Sequence, residues 1–196
     1  MNKYEFAVRW LHVIAGITWI GLLYFFNFIN VPFQADLDDA GKKAANPKLQ
    51  PRALWWFRWG AMVTFFAGLL LYGLIYLYVP GIGFVSQGLR MPSPWLLMGM
   101  LFGTIMWFNV WFIIWPAQKK ILSGKAAPEA LPAIRRKAYL ASRTNTYLSA
   151  PMLFGMLAAN HLNASFTLGR AVVALAVGFF AIWIAIWHSY KVGKTV

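Results

Sequence analysis

The sequence predicts an all-α fold: one integral membrane domain over residues 1–196, a helical bundle of about five transmembrane helices, with the N terminus outside and the C terminus in the cytoplasm. Three observations predict it. Of the 196 residues, 60% are hydrophobic and 12% charged, whereas a soluble domain carries about 25% charged residues. Five segments approach the span of about 20 mostly apolar residues that a bilayer core requires. Lysine and arginine are also unevenly divided among the intervening segments. The absence of cysteine excludes disulfides, thiolate ligands and covalent c-type haem attachment. The net charge of +13 fits basic loops at a cytoplasmic membrane surface, so lipid rather than nucleic acid is the expected partner.

The first span covers about residues 6–30 and opens on "RWLHVIAGITWIG", where His12, Gly16 and Trp19 share one helical face. The connecting stretch "FQADLDDAGKKAANPKLQPR" is polar and proline-punctuated, with room for a short amphipathic piece. Its carboxylates Asp36, Asp38 and Asp39 lack the spacing of a calcium loop and read as a solvated turn or a helix cap. The second span covers about 53–79 and the third about 94–115, with Pro80 and Pro116 expected to stop them. Gly99 and Gly103 form a small face on the third span that permits close helix approach. The fourth span, about 139–162, has a polar first half, and the fifth covers about 169–189. Twelve of the sixteen basic residues outside the spans fall in the 1–2 and 3–4 loops and the tail, which places that side in the cytoplasm.

That orientation gives the three histidines depths. His12 lies about two turns into the first span from the outer face, and His161 ends the fourth span near the same face. His188 ends the fifth span on the cytoplasmic side. Two neutral imidazoles from neighbouring helices can serve as the axial pair of a b-type haem. Arg9, one turn outward of His12, and Arg170, opening the fifth span, could pair with haem propionates, and Trp19 would help wall the cofactor. The same residues admit a plainer role, since membrane histidines hydrogen-bond neighbouring helices and interfacial arginines snorkel to headgroups. His188, beside Tyr190 and Lys191, reads as interfacial. Asn109 and Asn145 are polar residues inside spans, either part of a site or interhelical glue.

The stretches "RWLHVIAGITWIG", "WWFRWGA", "GTIMWFNVWFIIWPAQKK", "NTYLSAPMLFGMLAANH" and "IWHSYK" together resemble the membrane domain of the bacterial membrane-bound urate oxidase family. The family's longer members carry additional spans between the second and third helices and a C-terminal cytochrome c domain. Here the former are replaced by "VPGIGFVSQGLRMPSP", and the sequence ends at Val196. The resemblance implies functional histidines at His12, His161 and His188. It also marks two departures: Thr144 where the family tends to have histidine before Asn145, and Gly60 where it tends to have glutamate after Trp59. The resulting expectation is a membrane cytochrome b-like electron carrier using haem b, with a separate partner such as a periplasmic cytochrome c. A haem-free accessory subunit of a homo- or hetero-oligomeric membrane complex and a degenerate urate oxidase domain are the alternatives.

Overall fold

The computed structural model describes residues 3–79, 81–84, 91–162 and 164–193. Pro80, Arg90 and Lys194 therefore lie outside the described residues. Among the described residues the regular structure is helical, apart from one hairpin of two short strands. The first rod runs from α1 (Lys3–Tyr24) through a π-helical turn (Phe25–Asn30) into α2 (Val31–Asp36). The second is α3 (Asp39–Tyr72), ending in a π turn (Gly73–Leu77). The third is α4 (Pro94–Phe108), a π turn (Asn109–Ile114) and α5 (Trp115–Leu122). A 3₁₀ turn (Pro128–Ala130) leads into α6 (Leu131–His161), and α7 (Leu168–Ser189) closes the described fold.

Local chemistry sets several of these boundaries. Asp38 caps α3 by accepting from the Gly41 amide at 2.7 Å, so the acidic cluster supplies a helix cap, as its spacing predicts. Ser93 caps α4, with Pro94 in the first turn, and Thr167 caps α7 by accepting from the Arg170 amide at 3.2 Å. The stretch expected to loop between the first two spans is helical instead. Only the extended residues Leu37 and Asp38 interrupt it, and α3 carries Pro47 and Pro51 within its exposed first turns. Pro116 also fails to stop the third rod. The π turn just before it widens the hydrogen-bonding register, so the missing proline amide falls at a junction between helix types rather than inside a regular α-helix. The glycine-rich connection adds a feature absent from the all-α expectation. Tyr78 pairs with Phe84 and Val79 with Gly83 in an antiparallel hairpin, and Gly81 and Gly83 adopt φ of 84° and 99° there.

Four rods are long and apolar enough to cross a membrane: Lys3–Asp36, Asp39–Leu77, Pro94–Leu122 and Leu168–Ser189. The chain is a multi-pass membrane protein. Helix α6 is long enough but more polar, and its position explains why. It packs against α1, α4, α5 and α7, with Asn145, Thr146 and Ser149 wholly buried. These three polar residues thus face protein rather than lipid, where an unpaired group would cost several kcal/mol. Helix α7 shows the reverse pattern, with Val173, Val177, Phe180, Trp183 and Trp187 all exposed as a lipid-facing surface.

The main core joins Trp19 and Leu23 of α1, Phe57 and Ala61 of α3, Met106 and Val110 of the third rod, and Met152 of α6. Two glycine crossings bring the rods together. A Cβ on Gly155 would lie 2.7 Å from the Trp95 carbonyl oxygen and 2.8 Å from the Gly99 amide nitrogen, so α4 and α6 touch backbone to backbone. The close approach expected of Gly99 is therefore present. On the other side, a Cβ on Gly60 would lie 3.2 Å from the Trp19 amide nitrogen, which sets the α1–α3 contact.

Candidate functional site

His12 projects from α1 into the α1–α3 seam, where Gly68 leaves room for it: a Cβ there would lie 3.0 Å from His12 Cε1. Its Nδ1 lies 2.8 Å from the Thr64 carbonyl oxygen. A carbonyl only accepts, so Nδ1 carries the proton and, in the neutral ring, Nε2 keeps a free lone pair. Thr64 is itself held by its Oγ1, which donates to the Gly60 carbonyl at 2.7 Å. Two turns inward, Trp19 is 2% exposed, and its indole N–H has no hydrogen-bond partner among the described residues. An apolar groove of about 310 Å³ also runs between α1 and α3, lined by Val8, Leu11, Val63 and Ala67 but not by His12.

The height shared by His12 and His161 can be read from α1 and α6. Tyr24 meets Ser149 at 2.9 Å, and Asn27 donates to Ser142 Oγ at 2.9 Å. The two helices are therefore antiparallel. Twelve residues outward from Tyr24 is His12, and twelve residues onward from Ser149 is His161, each about 18 Å along its helix. The two side chains are nonetheless not in contact. His12 packs against α3, whereas His161 is exposed at the end of α6, whose outer half packs against α4 around Gly155. The arginines expected beside them have partners within the chain. Arg9 forms an ion pair with Glu5 at 2.7 Å, made possible because α1 begins early enough to include that carboxylate. Arg170 donates to the Ser165 carbonyl and hydroxyl, both at 2.8 Å. His188 is exposed in the last turn of α7, as an interfacial residue would be. Among the described residues no three His, Asp or Glu side chains gather as a metal site.

Asn109 and Asn145 are brought together. Asn109 Nδ2 donates to Asn145 Oδ1 at 2.8 Å, and Asn145 Nδ2 donates to the Met106 carbonyl at 2.9 Å. Asn145 is 0% exposed, so the pair ties α6 to the third rod where that rod turns π-helical. A second polar tie was not foreseen from the sequence. Ser149 gives its proton to the Thr146 carbonyl at 2.7 Å, which leaves the Tyr24 hydroxyl as donor to Ser149. Asn27 Nδ2 bridges the Leu23 carbonyl at 3.0 Å and Ser142. The signal was available in "YFFNFIN", where Asn27 and Asn30 interrupt an apolar run three residues apart. Both ties join a π turn to the same polar stripe of α6.

No curated protein and no solved structure matches the chain. One family model does, described as urate oxidase N-terminal, over residues 84–195. Its span holds α4 to α7, and with them Asn109, Asn145, His161, Arg170 and His188, while Arg9, His12 and Trp19 precede it. Because that match takes in more than half of the sequence, the chain belongs to the urate oxidase N-terminal family.

Proposed function

We propose that the protein is a cytochrome b-like electron carrier of a bacterial inner membrane, holding haem b near the outer face with His12 and His161 as axial ligands. The observation that carries this reading is the Nδ1 hydrogen bond of His12 to the Thr64 carbonyl at 2.8 Å. Such a bond fixes the tautomer and ring orientation of a ligating histidine and raises the basicity of the other nitrogen. His12 thereby meets the donor requirement of a haem iron. A bound haem would supply one-electron transfer. The chain's part is to present Nε2 of His12, to offer the exposed imidazole of His161 at the same height, and to wall the site with the apolar α1–α3 seam. Arg9 and Arg170, both near that height, would exchange Glu5 and Ser165 for propionates. The partner proposed for electron exchange is a periplasmic cytochrome c.

A second reading is a haem-free accessory subunit of a larger membrane complex. The pairs Arg9–Glu5 and Asn109–Asn145 favour it, because they give these side chains bonding partners within the chain itself. Family membership favours a third, a membrane domain that oxidises urate. The absorption spectrum of the purified protein separates the first two: a Soret band with a b-type pyridine haemochrome supports the carrier, and a colourless protein from haem-replete cells overturns it. Urate turnover by the purified protein tests the third.

A further inference from the structure

Where α3 and α5 pass each other, they enclose a cleft of about 400 Å³ lined by Trp55, Arg58, Trp115, Lys119, Leu122 and Ser123. Two cations line it, and no carboxylate does. The Arg58 guanidinium lies over the Trp115 ring, 3.7 Å from its centroid, and its Nε is buried without a hydrogen-bond partner among the described residues. Stacking uses the face of the guanidinium and leaves its in-plane N–H donors for a planar or tetrahedral oxyanion. Lys119 is exposed at the rim, one turn beyond Trp115. Apart from Ser123, the remaining walls are hydrocarbon and indole. The cleft thus combines a cationic end with apolar sides, the form of an amphiphilic anion rather than of a bare one.

Its surroundings point to the same class of ligand. Trp55, Trp56 and Trp59 are all exposed on α3, and Trp59 stacks edge-on against Trp111. Clustered tryptophans of this kind mark the headgroup level of a bilayer. Lys48, Arg52 and Lys120 flank the cleft in sequence, adding to the attraction for an anionic leaflet. We propose that the α3–α5 cleft binds an anionic phospholipid, its phosphate paired with Arg58 and Lys119, and its glycerol and upper acyl chain packed against Trp55, Trp115 and Leu122. The site does not depend on a haem and would stand if the electron-carrier reading failed.

The test uses the full chain in nanodiscs of phosphatidylcholine with phosphatidylglycerol as a minor component, followed by native mass spectrometry of retained lipid. Wild-type protein is expected to hold phosphatidylglycerol selectively. Arg58→Gln and Lys119→Gln should each retain it about fivefold less well, the factor expected for one lost interfacial charge. Lys125→Gln, a basic loop residue outside the cleft, should match wild type. Equal retention by wild type, Arg58→Gln and Lys119→Gln would overturn the proposal. Displacement of the lipid by millimolar inorganic phosphate, or by a small aromatic anion, would also overturn it by assigning the cleft to a soluble ligand. Should Arg58→Gln not fold, the exposed Lys119 carries the comparison alone.

Discussion

Replacing Asn109 by leucine would break the hydrogen bond to Asn145 and leave Asn145 Oδ1 unpaired in a site that is 0% exposed. A stranded buried acceptor costs about 1–3 kcal/mol, but interhelical hydrogen bonds in membranes average about 0.6 and reach about 1.7 kcal/mol, because the alternative states also find partners. Asn109→Leu should therefore destabilise by about 1–2 kcal/mol. Asn145→Leu removes two bonds, those to Asn109 and to the Met106 carbonyl, yet Met106 O still accepts from the Asn109 amide. Its cost should be similar or slightly larger. The double variant removes both members of the pair and strands neither, so it should be less destabilised than the sum of the singles by about 0.6–1.7 kcal/mol. Reversible unfolding in mixed micelles at increasing dodecyl sulfate measures all four corners of this cycle. Strict additivity would refute the pairing, as would loss of any bound cofactor in Asn109→Leu at unchanged stability.

Three further outcomes follow from the same structure. Gly155→Ala should destabilise by about 1–3 kcal/mol, because its Cβ would meet backbone atoms of Trp95 and Gly99, whereas Gly21→Ala, with nothing within 4 Å, should be neutral or stabilising; a thermal-shift series compares them. Gly68→Ala would place a methyl 3.0 Å from His12 Cε1 and should lower haem occupancy or shift the Soret band while leaving helicity by circular dichroism unchanged. A topology reporter fused after Val196 should be active only in its cytoplasmic form, and periplasmic activity would reverse the proposed sidedness.

The helices were legible because hydrophobic runs of bilayer length have few other uses. The second, third and fifth spans begin or end within a few residues of their expected positions. What the sequence hid depended on contacts between distant segments. Pro116 looks like a stop by local chemistry, and only the adjoining π turn removes the conflict. Residues 39–52 look like a loop because of Pro47 and Pro51, yet the Asp38 cap and continuity with the apolar part of α3 make them helical. The polar half of α6 makes that helix look marginal as a span until it is seen surrounded by other helices. At the candidate site, the equal height of His12 and His161 could be counted from sequence, since depth depends on the rise per residue. Rotation about the helix axis could not, so the Thr64 carbonyl, the Gly68 notch and the Glu5 partner of Arg9 emerge only from packing. Asn145 gave a clear signal as a polar residue within a span, but its bonding to both Asn109 and the Met106 carbonyl is a tertiary matter.

The most direct test of the haem assignment is the visible spectrum and haem content of purified wild-type, His12→Ala, His161→Ala and His188→Ala proteins produced with ample haem. The account predicts a low-spin b-type spectrum in wild type and in His188→Ala, and its loss or conversion in both His12→Ala and His161→Ala. Wild-type protein without haem would contradict it, and so would a spectrum that disappears in His188→Ala but survives in His161→Ala.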